Sequence, residues 1–418
     1  MKRILRVYRT SALILACVLS SAHAQDQENW RDGNVPPPNE RLYETQAGKV
    51  RVTTAVPSAK ETGAIFGANL YSRNVQPVWI KVENLSDETL WFLPVGLDEA
   101  YFTPIETTYR WLNRIAALNL NTTRDVYSKS MRMRIEAGGT RSGYVFSRLD
   151  EGTKTFNIDV MGDDGRHYLM TFFVPVPGLR IDHYEIEWNK LYSEDEIREV
   201  DLDGLVAGLE ALPCCTRNEA GKKQGDPLNI AFVGHRKDMY YAFMRAGWDE
   251  TETIHRASVF KTILSSIAGS QYRYSPISAL YVFDRPQDAA LQKARDNINQ
   301  RNHLRLWLTP LRYQGKPVWI GQISRDIGVR LTWETITTHK IDPDVDETRE
   351  YLLEDLAYAE SVEKLGYVAG VGAAPFDSPR SNLTGDPYFT DGLRLVIFVS
   401  SEPVDISEIQ VLDLGVTP

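Results

Sequence analysis

Gly152–Val174 reads GTKTFNIDVMGDDGRHYLMTFFV, and its spacing decides the fold class of the first half of the chain. Phe156, Ile158 and Val160 recur at every second position after Gly152, and Met170, Phe172 and Val174 do the same after Asp163-Asp164-Gly165. Successive side chains leave a strand on opposite sides, so this period, bounded by turn residues, is that of antiparallel strands with one buried face. Working outward, Tyr144 and Phe146 follow Gly138-Gly139, and Val78, Ile80 and Val82 stop at Asn84-Leu85-Ser86-Asp87. Repeated in this way over residues 48–182, the pattern predicts an antiparallel β-sandwich of immunoglobulin-like type. A helix is expected within it over 104–118, where Ile105, Tyr109, Leu112 and Ile115 share one face. Pro175 and Pro177 end the last strand, since proline supplies no ladder donor.

Residues 183–224 read as a helical linker. Ser193 ahead of Glu194 and Glu196 is an N-cap signal, and Leu202, Leu205, Val206 and Leu209 form a short apolar stripe that Pro213 stops. A second domain is expected over 225–418. It opens with Asn229-Ile230-Ala231-Phe232-Val233-Gly234, a buried-strand run, followed by helical spacing at Tyr240, Phe243 and Met244 and a C-cap at Gly247. Strands are expected at 280–283, 303–308, 318–323 and 393–399, and helices over 287–297 and 343–356. This alternation is that of a mixed α/β (α+β) domain. Gly234-His235-Arg236-Lys237 carries neither the Walker pattern nor the dinucleotide glycine triplet.

At the other end of the chain, Lys2, Arg3, Arg6 and Arg9 precede the apolar run Ala12–Leu19 and then Ala22-His23-Ala24. Positive, apolar, then small-x-small is the order of a cleavable signal peptide, so residues 1–24 are read as an export signal and 25–47 as a flexible, proline-rich leader. The apolar run is short of the ~20 residues that cross a bilayer as a helix, and no later run is longer, so no transmembrane span is expected. Ile14-Leu15-Ala16-Cys17 also resembles a lipobox, which leaves two addresses open: periplasmic or secreted, or lipid-anchored through Cys17. The formal net charge is −9, and −13 without residues 1–24, which hold four basic and no acidic side chains. An acidic chain repels phosphate backbones, which argues against nucleic acid as a partner. Beyond Cys17 the cysteines are the adjacent Cys214 and Cys215. A vicinal disulfide, pairing between chains, or two free thiols all remain open for them.

Several motifs of the second half carry a resemblance. Leu212-Pro213-Cys214-Cys215-Thr216, Gly225-Asp226-Pro227-Leu228-Asn229, Arg285-Pro286-Gln287-Asp288 and Arg301-Asn302-His303-Leu304-Arg305-Leu306-Trp307 come first, then Pro317-Val318-Trp319-Ile320-Gly321, Ser324-Arg325-Asp326 and Thr338-His339-Lys340-Ile341-Asp342. Together, over about half the chain, they resemble the LssY C-terminal domain family. The resemblance implies an association with secretion and the cell envelope, since the family is named for a component of a type I secretion locus. Its domain is also found fused to membrane phosphatases of the lipid acid phosphatase type, and its own activity is undefined. Phosphatase activity does not carry over: Ser324-Arg325 lacks the following His of that motif, and there is no Pro-Ser-Gly-His.

Two functions follow as expectations. The first is a non-enzymatic, exported envelope protein that binds a protein or anionic small-molecule partner, with Arg305 and Arg325 able to clamp a carboxylate or phosphate. The alternative is a hydrolase, with or without a metal, centred on His303, Arg305, Arg325, Asp326, His339, Asp342 and Asp346. In it Asp326, His339 and Asp342 are candidate ligands of a divalent cation, or His339 is a base oriented by a carboxylate. Structural roles compete with each. Asp342 before Pro343, or Asp344 three residues before Glu347, reads as an N-cap, Asp346 complements a helix dipole, and Arg325-Asp326 can form a local ion pair in a turn. Convergence of the seven in one cleft favours the hydrolase, and scattering favours binding.

Overall fold

The computed structural model describes residues 34–112, 120–150, 152–177, 186–251, 277–294, 301–330 and 338–418. The expected signal peptide, with Cys17, lies outside the described residues. No helix among them is long and apolar enough to cross a membrane. The chain divides into two compact units, Met1–Gly178 and Leu179–Pro418.

The first unit holds eight named strands: β1 (Tyr43–Ala47), β2 (Val50–Ala55), β3 (Val75–Asn84), β4 (Leu90–Leu93), β5 (Arg134–Ile135), β6 (Thr140–Arg148), β7 (Thr153–Gly162) and β8 (His167–Pro175). They form two four-stranded antiparallel sheets, ordered β1-β2-β3-β6 and β5-β4-β7-β8. Val50, Val52, Val78, Ile80 and Val82 from the first sheet and Phe92, Phe156, Ile158, Val160, Met170 and Phe172 from the second share one apolar core. β7 and β8 alternate as the sequence requires. β3 does not, because its other face is buried as well: Trp79 joins Tyr144 and Phe146 of β6 in a second cluster with Phe66, Leu70 and Val126. Phe66 ends helix α1 (Ala59–Phe66), and its ring meets those of Tyr144 and Phe146 edge-on at 5.1 and 5.6 Å. A Ser58/Glu61 capping box starts α1 by satisfying donors that have no partner inside the helix.

Two expectations fail here. The leader is not free from residue 34 onward: the Val35 carbonyl accepts from the Trp79 indole N–H at 2.8 Å and from the Ser142 hydroxyl at 2.8 Å, and β1 pairs with β2. A buried indole needs an acceptor, and this backbone supplies it. The helix expected over 104–118 is described as α2 (Pro104–Leu112), with α3 (Leu120–Ser128) after it. On α2 the buried residues are Thr107 and Thr108, while Ile105 and Tyr109 are 55% and 46% exposed. The described part of the expected stripe, Ile105 and Tyr109, is therefore not the inward face, while the Leu112 side chain and residues 113–118 lie outside the described residues.

The second unit carries a mixed ten-stranded sheet. Its main path runs β13 (Asp249–Glu250), β16 (Ala289–Ala294), β17 (Arg301–Tyr313), β18 (Lys316–Arg330), β12 (Ile230–Val233), β23 (Arg394–Val399), β20 (Val362–Val368) and β24 (Gln410–Val411), with β9 (Arg198–Val200) beside β17 and β19 (Thr338–Ile341) beside β18. β10 (Cys215–Arg217), β11 (Gln224–Pro227), β14 (Tyr281–Val282) and β15 (Arg285–Pro286) make a smaller sheet, and β21 (Arg380–Ser381) and β22 (Pro387–Tyr388) a hairpin. β17 and β18 are joined through Gln314 and Gly315, both at positive φ, the backbone of a two-residue type I′ turn whose twist suits a hairpin. Helices α4 (Leu202–Glu210), α5 (Arg236–Arg245) and α6 (Val345–Tyr358) complete the unit. Leu205 and Leu209 of α4 share a core with Trp307, Val318, Ile320 and Val233. Phe243 of α5 meets Phe232, the neighbour of Val233 that points to the other face. Gly247, at φ +77°, ends α5 with the two tail hydrogen bonds of a Schellman cap.

The expected linker over 183–224 is, in its described part, integral to this unit. β9 pairs in parallel with β17, and Leu205 and Leu209 are fully buried. Ser193 and Glu196 bond to each other in a turn rather than starting a helix, and Asp201 is the residue that caps α4. The helix expected over 287–297 is strand β16 as far as it is described. Its AALQKA sequence favours a helix locally, but the exposed ladder of β17 takes it as a strand, in register from Ala289↔Leu306 to Ala294↔Arg301. α6 starts at Val345 behind Asp344, whose carboxylate accepts from Glu347 N at 3.0 Å. Asp344, not Asp342, is therefore the cap.

Candidate functional site

One face of the β17–β18 hairpin changes character along its length. Near the turn it presents Trp307 and Ile320 to α4, and two residues further along each strand it becomes polar: Arg305 lies opposite Gln322 and His303 opposite Ser324. One more step of the alternation brings Arg301 and Asp326. Gln292 of β16 adds to the same face from opposite His303. Arg301, His303, Arg305, Gln322, Ser324, Asp326 and Gln292 are all buried, so their charges and dipoles act on one another with little screening.

The contacts are specific. Arg301 Nη1 donates to Gln292 Oε1 at 2.6 Å, and Arg305 donates to Gln322 Oε1 at 2.7 Å and to the Ser278 carbonyl at 3.1 Å. His303 Nε2 lies 3.4 Å from Asp326 Oδ2, with Arg301 Nε at 4.0 Å from the same oxygen. Asp226 of β11, itself buried, adds a carboxylate near Arg305 and accepts from Asn382 at 3.2 Å. Burial pushes the Asp326 carboxyl up to about 7, because desolvation of the anion outweighs Arg301 and Arg305. Burial likewise raises Asp226, and it lowers Arg305 and brings Arg301 down to about 10. Two donors on this face, Arg301 Nε and Gln322 Nε2, have no hydrogen-bond partner among the described residues.

Three of the seven residues singled out in the sequence therefore meet: His303, Arg305 and Asp326. Arg325 points to the opposite face, where it donates to Asn302 at 3.3 Å and lies over the Tyr351 ring at 5.2 Å. Asp342 keeps its company there, its N–H donating to Arg325 O at 2.7 Å and its carboxylate accepting from Asp344 N at 3.1 Å. Asp346 belongs to another network, accepting from Thr390 at 2.8 Å and Asp391 N at 2.6 Å and lying 3.3 Å from Arg349. His339 is in β19, paired with Val329, and its side chain lies outside the described residues. Of the cation site expected from Asp326, His339 and Asp342, the His339 side chain lies outside the described residues, and among the described residues no three His, Cys, Asp or Glu side chains gather to hold a metal. Asp342 lies just beyond β19 with its carboxylate turned to Asp344 N, and the Arg301 guanidinium lies 4.0 Å from Asp326 Oδ2.

Arg301 and Gln322 were missed by sequence reading although the signal was present. Each lies two or four positions from a residue already chosen on the same strand. Asp226 and Asp386, which also acts on Asp326, had no such signal, being placed by tertiary contacts alone.

Cys214 and Cys215 are joined as a vicinal disulfide. No curated protein matches the chain. Residues 209–393, which span the buried polar face and both cysteines, match the family model described as LssY C-terminus.

Proposed function

Starting from an LssY C-terminal domain in the second unit, we propose that the protein is an exported cell-envelope accessory that binds an anionic ligand on the Arg301, His303, Arg305 face without reacting with it. The observation that carries this reading is the pair of buried donors, Arg301 Nε and Gln322 Nε2, with no acceptor among the described residues. A buried donor left unmade costs about 1–3 kcal/mol. An anionic oxygen is the acceptor that both donors and both guanidiniums favour. Asp326 opposes an anion only when ionised. Raised to about 7, it loses that charge as the solution is acidified, so binding strengthens below neutrality.

The test is the thermal midpoint of the full chain in phosphate, sulfate or acetate against chloride at equal ionic strength. At least one anion should raise it by several degrees, more at pH 6 than at pH 8, and Arg301→Gln should abolish the shift. No shift with any of the three overturns the reading.

The first unit supports a docking role. Its two sheets over a common core suit the immunoglobulin-like sandwich used for adhesion, although β1-β2-β3 is a consecutive meander and the likeness is one of layers rather than strand order. Export rests on residues 1–24. The mass of the mature N-terminus should correspond to a start at Gln25, a lipid-modified start at Cys17 would make the protein membrane-anchored, and a start at Met1 in envelope fractions would overturn signal cleavage.

A hydrolase draws on one observation, the histidine beside a carboxylate at His303 and Asp326. With Arg325, Asp342 and Asp346 engaged elsewhere, the arrangement favours binding over reaction.

A further inference from the structure

The vicinal disulfide has no evident structural purpose. A disulfide stabilises chiefly by closing a loop of the unfolded chain, and the gain grows with loop length; between adjacent residues there is almost no loop to close. The backbone around it is held by other means. Leu228 N donates to Cys214 O at 2.8 Å, Cys215 pairs with Pro227 across the β10–β11 ladder, and the buried Arg394 guanidinium donates to Pro213 O at 2.9 Å, to Leu228 O at 2.8 Å and to Leu209 O. Breaking the sulfur bond thus leaves this framework in place.

Cys215 lines a cleft of about 170 Å³ together with Arg217, Glu219, Tyr281, Phe283 and Asp284. Its far wall is the tight turn of the β14–β15 hairpin: Phe283 and Asp284 are both at positive φ, 55° and 56°, the backbone of a two-residue type I′ turn. That region is uncommon for non-glycine residues and for a bulky side chain costs free energy, so surrounding contacts must impose it. Arg285, the first residue after the turn, is anchored beside it, paired with both Asp288 oxygens at 2.9 Å, bonded to Leu308 O at 2.8 Å and lying 5.3 Å from the centre of the Phe283 ring. A firmly held hairpin turn and a bond without structural purpose therefore face the same cleft. Its volume equals roughly five or six waters at ~30 Å³ each, enough for a small thiol.

We propose that Cys214–Cys215 is a thiol–disulfide exchange site, reached through this cleft by low-molecular-weight thiols, with the exposed Arg217 guanidinium favouring those that carry a carboxylate. The entering thiolate forms a bond to Cys215 Sγ. The Cys214–Cys215 bond breaks, its electron pair leaves on Cys214 Sγ, and that thiolate takes a proton from water. A second thiolate then attacks the sulfur of the first donor, releasing Cys215 as a thiolate that is protonated in turn. The protein gains two electrons and two protons, and the donors are left as their disulfide.

The experiment uses the full chain with Cys17→Ser, so that Cys214 and Cys215 are the remaining cysteines. Equilibrated with reduced and oxidised dithiothreitol at graded ratios, acid-quenched, alkylated and weighed intact, the population should divide between zero and two labels, with the circular dichroism spectrum unchanged throughout. Two labels without any dithiol, or none until urea unfolds the chain, overturns the proposal. Entry through the cleft is tested by rate: at low salt Arg217→Ala should slow reduction by glutathione about fivefold while leaving dithiothreitol unaffected. Equal effects on both thiols would place the attack elsewhere.

Discussion

Arg349 and Arg301 are both buried arginines of the second unit, and they end in opposite conditions. Arg349 on α6 uses all five of its N–H donors: Nε and Nη2 to Glu350 at 2.9 and 2.8 Å, Nη1 and Nη2 to Asp391 at 3.0 and 2.9 Å, and Nη1 to Leu393 O at 3.0 Å. Burial works against its charge, but the bonds and charges of Asp391, Asp346 and Glu350 outweigh that, and its proton is held more tightly than in a free guanidinium. Among the described residues Arg301 has one hydrogen bond, to Gln292, and an unpartnered Nε, and its proton is loosened by burial. A completed network fixes an element in place, whereas a buried network with donors to spare calls for an explanation. Here the complete network docks α6 onto the strand that begins at Arg394, and the incomplete one leaves Arg301 Nε and Gln322 Nε2 without an acceptor among the described residues.

The sharpest way to break this contrast is to remove each arginine. Arg349→Met should cost about 3–5 kcal/mol of unfolding free energy, the usual consequence of stranding the partners of a buried ion pair, measured by urea denaturation at pH 7. Arg301→Met should cost much less, since it removes an unmet donor along with the single bond to Gln292. Equal losses would mean that both networks are scaffolding.

The next effect is one of pH. The Asp326 carboxyl titrates near 7 in the folded chain against 3.8 as its ordinary value. Between these values the folded state binds the extra proton, so stability falls as pH rises from about 4 and levels off above 7. The change is at most about 4 kcal/mol for a shift of this size. Asp326→Asn should flatten that slope between pH 5 and pH 8 in urea titrations, and an unchanged slope would show that other groups set it.

How far the sequence carried these conclusions depended on the number of faces each strand buries. β7 and β8 have one face on the core, so period two was legible in Phe156, Ile158 and Val160. β3 was marked by the same period in Val78, Ile80 and Val82, but that period did not show that Trp79 between them is buried on the other face. β16 was read as a helix because AALQKA is locally helical and only the long neighbouring strand makes it otherwise. In the site, residue type found His303, Arg305 and Asp326, and type alone also chose Arg325, which the pleat turns away from its neighbour Asp326. Applying the alternation that identified the strands would have exchanged Arg325 for Arg301 and Gln322. Asp226 lies a hundred positions from Asp326, so only the folded chain could add it.

The smallest effect tests whether the complete network is redundant as well as complete. Glu350 bonds Arg349 through Oε1 and accepts from Tyr367 Oη at 2.7 Å through Oε2, and its side chain is 36% exposed. Glu350→Gln keeps an acceptor at nearly the same place and removes one charge at the solvent edge, where ion pairs contribute about 0–1 kcal/mol. Its expected cost is below about 1 kcal/mol, because Asp391 keeps the two-pronged contact with Arg349. A loss as large as that of Arg349→Met would mean that Glu350, rather than Asp391, is the anchor, and that the network has no spare acceptor.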